Sequence, residues 1–419
     1  MTAAAVGHMQ VLSVLIIGGG ATGSVLASTL GALSSTSALW EKSTSTGRVS
    51  HSTARGAASG GIADLGAQYF TMGRATRGEG DLRLKELCTA GILVPMSCSI
   101  AGEAPRHAGF ANFVAPNGAG SVIRFYRDRA AAAGVACHES TRLATLDTVK
   151  DPSPDTPFDA PLLWRAESEC GRVALSRRVV LTVPAPQLPA LRGVKYQAAL
   201  TAPSVALALQ GVTYDTRLAL AVYFSPSDMP KMDLLCPWSA RFVDGDAIVR
   251  FVSYETRKRT AGVLPASNAT ATAPAPAPTT APAPAPATAT ATATATAPAI
   301  TPCLVVHSTA TYGATHETTP DVARVVESDM LTATFKALAA CAGVDPSTLP
   351  TPIETRVHRW RYGQVTKRAN IPLSQAALVI SNSPTLILAG DYLSVSSNFS
   401  GACESAADAL AAFAGNEAT

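Results

Sequence analysis

The sequence predicts an α/β protein. A Rossmann-type dinucleotide-binding domain is joined to a second, α+β domain on a mixed or antiparallel sheet. Three observations carry this. The apolar run Val11 to Ile17 empties into glycines spaced G-x-G-x-x-G at 18, 20 and 23. A second apolar run, Ala38-Leu39-Trp40, ends in the acid Glu41. Near the chain end, an apolar stretch at Thr385 to Ala389 meets Gly390-Asp391 and then a run of small residues.

Val11 to Ile17 is too short to span a membrane and suits a strand buried on both faces of a parallel sheet. Gly18 allows a tight turn, Gly20 lets a pyrophosphate approach bare backbone, and Gly23 lets helix and strand touch. The helix that follows offers free N–H groups and a positive dipole end to phosphate. Gly18, Gly20, Ala21, Thr22 and Gly23 are therefore candidate cofactor-binding positions. Glu41 stands at about the spacing where an acid accepts hydrogen bonds from a ribose. Arg48, in KSTSTGR, offers a guanidinium fork suited to pyrophosphate oxygens; taken alone it is equally a solvated loop cation.

The middle of the chain alternates element types. Residues 80–93 predict an amphipathic helix with Leu82, Leu84, Leu87 and Ile92 on one broad side. Ser50 to Gly61 is small and flexible in composition, and Ala63 to Thr71 a Gly turn before a short aromatic strand. Asn112 to Gly118 predicts a strand and turn, and Ser121 to Ala133 a helix. Val179 to Val183 predicts a strand broken at Pro184. Leu218 to Phe224, Ala247 to Ser253 and Leu304 to Ser308 predict strands of a second sheet. Thr319-Pro320-Asp321 and Gly343 bracket a helix over 320–343. Between these, Pro265 to Pro302 is almost wholly Ala, Thr and Pro, with alternating Ala-Pro and Ala-Thr; this predicts a disordered insertion at 262–302 in the second domain.

The tail returns to the nucleotide. In this type of fold the last strand returns to the nucleotide sheet, where Asp391 can hydrogen-bond a cofactor hydroxyl and the last helix can point its N-terminus at developing negative charge.

Composition narrows the partners. With 33 basic and 30 acidic residues, the net charge of +3 gives no reason to expect nucleic acid or an anionic membrane. The 8 Cys lie far apart, without C-x-x-C or a Cys/His cluster at ligand spacing, so no metal is expected and reduced buried thiols are the plain alternative. No apolar run is long enough to cross a bilayer. Met1 to Gln10 has neither secretory nor transit character, so the expected location is cytoplasmic.

Several strings together resemble one family. IIGGGATGS, WEK, ADLGAQYF, NFVAPNG, VVLTVPAPQL, PWSARF, VHRWRYGQVT and AGDYLSVSSNF are similar to renalase and its relatives, in the flavin-containing amine oxidase-like group. The resemblance implies a two-domain protein of the p-hydroxybenzoate hydroxylase type with noncovalent FAD. It implies a discontinuous FAD-binding domain at 1–75, 113–192 and 362–419, and a substrate domain at 76–112 and 193–361. It adds Lys42, Gln68, Tyr69, Asn398 and Phe399 to the cofactor contacts. It also carries over three pocket positions: an aromatic wall at Phe242, a histidine at His307 and an indole at Trp360. Phe242 stands where animal relatives commonly have Tyr, which removes one donor and keeps the stacking face. Thr46-Gly47-Arg48 has one glycine before the arginine where the family usually has two. Cys403 lies near the last helix, but no pattern places it at the flavin methyl.

The implied reaction is oxidation of NAD(P)H isomers with the hydride at the 2 or 6 position, with dioxygen as final acceptor and hydrogen peroxide as product. Two rivals share the residues: an amine oxidase, and a flavin-binding protein without efficient oxidase activity whose Pro-rich tract docks partners. Each pocket residue also has a structural reading: His307 as a satisfied core histidine, Trp360 as a cap on the core, Phe242 as sheet packing.

Overall fold

A computed structural model describes residues 10–33, 36–55, 60–73, 78–96, 98–103, 110–151, 161–259 and 301–415. Met1 to Met9, part of the Ser50 to Gly61 loop and nearly all of the expected insertion at 262–302 lie outside these residues. Thr301 and Pro302 are described and buried, so folded chain resumes slightly earlier than composition suggests.

Val11–Ile17 lies inside an eight-stranded sheet, parallel to Ser37–Trp40 on one side and to Val173–Leu181 on the other. Val173–Leu181 is longer than its Val179-to-Val183 pattern suggested, because it changes partner halfway. Its first half pairs antiparallel with Leu163–Ser168, and its second half runs parallel to Thr385–Ala389. The tail therefore does return to the nucleotide sheet.

Side chains alternate across this sheet. Val14, Ile16, Val180 and Ile387 face helices Ala21–Ala32, Gly120–Ala132 and Phe399–Gly415. Leu15, Ile17, Val179 and Leu388 face the other way, toward Tyr196 and Leu200 of helix Val194–Leu200. Each such side chain removed from water contributes about 1.5–3 kcal/mol. Helix Glu79–Thr89 packs into the first of these cores through Leu84 and Leu87. Leu82, expected on the same side, is 55% exposed, because a step of two residues along a helix, from Leu82 to the buried Leu84, carries a side chain to the opposite face. Of residues 76–112, the stretch through Leu93 thus shares the first core, and Ile100–Ala101 joins the second sheet.

That second sheet runs Glu354–Trp360, Arg217–Tyr223, Cys303–Ser308, Val249–Tyr254, Ala240–Phe242, Ile100–Ala101. It is antiparallel except for its last pair. Leu218, Leu220, Val222, Leu304 and Val306 form one face, covered by helix Val322–Ala342. Gly343, at φ +67°, ends that helix as expected, whereas Asp321 begins it without a side-chain cap. The opposite face, with Ala219, Ala221 and Val305, meets Ala63 and Leu65 of the nucleotide domain. The two domains therefore touch across the Asp64–Tyr69 segment.

Candidate active site

The glycine corner is shaped by what a side chain would strike. A Cβ on Gly23 would lie 1.9 Å from the Gly18 carbonyl oxygen, and one on Gly18, at φ +108°, 2.5 Å from Thr182 Oγ1. A Cβ on Gly20 would meet nothing within 4 Å. Space is thus open over Gly20, where a pyrophosphate would need to reach the backbone. Gly20 also caps the helix without a side chain, leaving the first-turn N–H groups around Ala21 and Thr22 to other partners. Gly47, at φ +62°, closes the far side of this space, 3.7 Å from the Gly20 Cα by the same measure.

Two residues brace the corner from behind and carry no motif of their own. Thr182 Oγ1 donates to the Ile17 and Gly18 carbonyls at 3.0 and 2.8 Å. Arg127, nearly buried, donates to the Gly19 and Ser45 carbonyls and pairs with Glu139 at 2.9 Å. Neither was legible beforehand, since each acts on backbone far away in sequence.

Glu41 Oε2 accepts from Gly19 N at 2.7 Å and Oε1 from Ser43 N at 3.0 Å. The acid is fixed at the strand end, beside the corner. Lys42 turns away to donate to Gln187 Oε1 at 3.3 Å. Arg48 and Asp391 were each expected to face the cofactor. They are in fact partners: Arg48 Nη1 and Nη2 donate to the two Asp391 oxygens at 2.8 and 2.5 Å. Burial works against the Arg48 charge, but Asp391 outweighs it and holds the guanidinium protonated. Ser397 Oγ donates to the same carboxylate at 2.8 Å. Asn398 Oδ1 accepts from Gly401 N at 3.0 Å inside the start of the last helix, and Phe399 meets Phe70 edge to face at 5.5 Å.

The pocket residues form a row across the second sheet. Phe242 pairs with Phe251, Phe251 with His307, His307 with Ala219, and Ala219 with His358. Residues paired directly across strands share a face. Phe242 and Phe251 rings are 5.1 Å apart, Phe251 and His307 6.0 Å, and Tyr69 stands 6.5 Å from Phe251. Trp360, two residues past His358 and so on the same face, lies 4.1 Å from the His358 ring. Ala219, small and central, separates the two groups of rings.

One carbonyl ties the row to the nucleotide domain. Leu65 O accepts from Trp360 Nε1 at 2.8 Å and His307 Nε2 at 3.0 Å. A carbonyl only accepts, so His307 carries a proton on Nε2. Burial pushes the ring's pKa down to about 4, so at neutral pH Nδ1 is bare. Gln68 donates to the Asp64 and Gly66 carbonyls and lies 3.4 Å from His307 Nε2. Gln68 and Tyr69, expected among the cofactor contacts, therefore line the boundary between corner and row. Cys403 is fully buried in the apolar core of the first domain. Among the described residues there is no cluster of metal-ligating side chains, and no helix is long and apolar enough to cross a membrane.

Residues 16–78 match the model of an NAD(P)-binding Rossmann-like domain. The chain is 26% identical to renalase from Mus musculus over 344 residues, covering 82% of this chain and 81% of that protein. A crystal structure assigned as a protoporphyrinogen oxidase from Exiguobacterium sp. 255-15 is similar with a TM-score of 0.60, covering 97% of this chain and 99% of that one at 12% identity. At that identity the likeness concerns the fold.

Proposed function

We propose that this renalase-like, FAD-dependent oxidoreductase oxidises NAD(P)H isomers that carry the hydride at the 2 or 6 position of the nicotinamide. The products are β-NAD(P)+ and hydrogen peroxide, with dioxygen and one proton consumed. The observation that carries the reading is the row of rings around Ala219: stacking faces and two histidines, His307 and His358, with no carboxylate in the row itself. A dihydropyridine needs no base to give up hydride, because its ring nitrogen supplies the electrons and the product is aromatic.

A flavin held here would supply the two-electron acceptor, with dioxygen as the final oxidant. The residues present fit such a group. The open backbone at Gly20 and the helix start at Ala21 and Thr22 would take the pyrophosphate, and Glu41 a ribose. Asp391 would take a ribityl hydroxyl, with Arg48 held beside it by their ion pair. Cys403, sealed in apolar core, supports noncovalent attachment. Phe242 and Trp360 would hold the donor ring flat, and reactive atoms must approach to about 3–3.5 Å. His307, neutral and donating through Nε2 to Leu65, offers Nδ1 as an acceptor to the carboxamide or a water.

Amine oxidation fits less well. A cationic precursor would need an aromatic cage, and the Phe242 ring already carries Arg250 at 5.2 Å. Steady-state peroxide release separates the two. Turnover with a 2- or 6-dihydro isomer and none with a panel of primary and secondary amines is expected. Turnover of an amine alone rejects the proposal.

A further inference from the structure

Four charged side chains that hydride transfer does not use lie buried beside the pocket. Side-chain exposure is 0% for Lys258, 1% for Glu255, 2% for Asp64 and 10% for Arg259. Lys258 Nζ lies 2.6 Å from Glu255 Oε1 and 3.0 Å from Asp64 Oδ2. Arg259 reaches the same two carboxylates at 2.8 and 2.5 Å. Burial alone would raise the Asp64 pKa, but Arg259 and Lys258 together hold it below the usual carboxylate range. Two cations against two carboxylates leave the cluster neutral. Such clusters are costly to desolvate, and apolar residues of similar shape often stabilise as well. What this one fixes is shown by what it touches.

All four side chains bear on the segment Asp64 to Gln68. Glu255 Oε2 accepts from Asp64 N at 2.8 Å, and Arg259 Nη1 donates to Ile62 O at 3.1 Å, just before it. Lys258 Nζ donates to Gln68 Oε1 at 3.3 Å. The Gln68 amide nitrogen, thereby oriented, donates to the Asp64 and Gly66 carbonyls. Between them the Leu65 carbonyl is turned to Trp360 and His307. Three consecutive carbonyls are thus committed to side-chain donors. The segment also rests on the cofactor side: Ala67 N donates to Arg48 O at 2.9 Å, and a Cβ on Gly66 would lie 2.0 Å from that oxygen.

We infer that Lys258 and Glu255 are positioning residues: acting through Gln68 and the Leu65 carbonyl, they fix the His307 and Trp360 rings against the flavin. This rests on the pocket assigned under the proposed function. Without the lysine, the Gln68 amide loses the donor that orients it. The Leu65 carbonyl is then free to turn, and both rings lose their anchor.

The test uses Gln68→Leu, which leaves all four ions paired, and Lys258→Met, which does not. Bound flavin per protein is expected to stay within about twofold of wild type in Gln68→Leu. The rate constant for reduction per bound flavin, at saturating isomer without oxygen, is expected to fall by about tenfold to a hundredfold, the scale of a small misplacement. KM is expected to move by less than about threefold, since the donor's binding faces remain. Histidine side-chain ¹⁵N NMR is expected to show the Nε2–H form of His307 in wild type and averaged tautomers in Gln68→Leu. A merely structural role lowers Tm while leaving the per-flavin rate and the His307 tautomer as in wild type, and that result overturns the inference. Lys258→Met is expected to show the same rate loss and averaged His307 tautomers, and wild-type values there overturn the inference; if it does not fold, Glu255→Gln, of the same size, decides by the same two readouts. If no isomer reduces wild-type flavin, the proposed substrate fails; the NMR comparison then still decides whether Gln68 holds the ring.

Discussion

The glycine corner is one local backbone turn with braces added from Thr182 and Arg127, whereas the aromatic row is side chains drawn from five strands spread over residues 217–360. At the corner, function depends on what is missing: open space over Gly20 and direct contact under Gly23. In the row, the proposed function depends on what is present: rings, two imidazoles and a doubly used carbonyl. The corner should therefore fail by collision, and the row by loss of alignment.

The largest effect expected is at Gly23→Val. Its Cβ would collide with the Gly18 carbonyl, backbone on backbone, with no flexible end to yield. A loss of about 3 kcal/mol or more is expected in denaturant unfolding, together with loss of bound flavin. Wild-type stability in this variant would remove the contrast.

Acid should expose the row next. His307 is held neutral by burial, with a folded pKa of about 4, against about 6.5 when unfolded. Between these values the unfolded chain binds the extra proton, so stability is full above about pH 6.5 and falls as pH drops toward 4. The His307 share is up to about 3 kcal/mol, reduced by the partial accessibility of the ring. Unfolding at several pH values should show this slope in wild type and a shallower one in His307→Phe. Equal slopes would mean that the histidine is not buried neutral.

Gly20→Ala sharpens the comparison from the corner's side. The added methyl meets nothing, so stability should change by less than about 0.5 kcal/mol. The flavin Kd should rise by about tenfold, because the methyl occupies the approach to the phosphates. Trp360→Phe should give a modest effect on folding, about 1 kcal/mol for the lost hydrogen bond to Leu65 O. It should also slow flavin reduction while leaving flavin affinity unchanged. A variant that loses flavin instead would place Trp360 at the corner.

The same contrast explains what the sequence revealed. Glycine spacing is a local code, so the corner, the acid at Glu41 and the return of Thr385–Ala389 could be read directly. Phe242, His307 and Trp360 carry no local signal, and resemblance to a family supplied them. That Phe242 and His307 share one face with Ala219 follows from strand register, which no single segment states. The ion pair between Arg48 and Asp391 was missed because each residue was matched to a ligand rather than to the other. The cluster around Lys258 carries no motif, since its members come from two segments far apart in the chain. Only the fold buries it against Asp64.

The most direct test of the whole account is anaerobic rapid mixing of the flavin-loaded protein with 2- and 6-dihydro isomers of NAD(P)H, following the flavin absorbance. Bleaching within a single turnover by at least one isomer, and none by amines, is the result predicted. A flavin that no reduced nicotinamide isomer bleaches, or that only an amine bleaches, would contradict it.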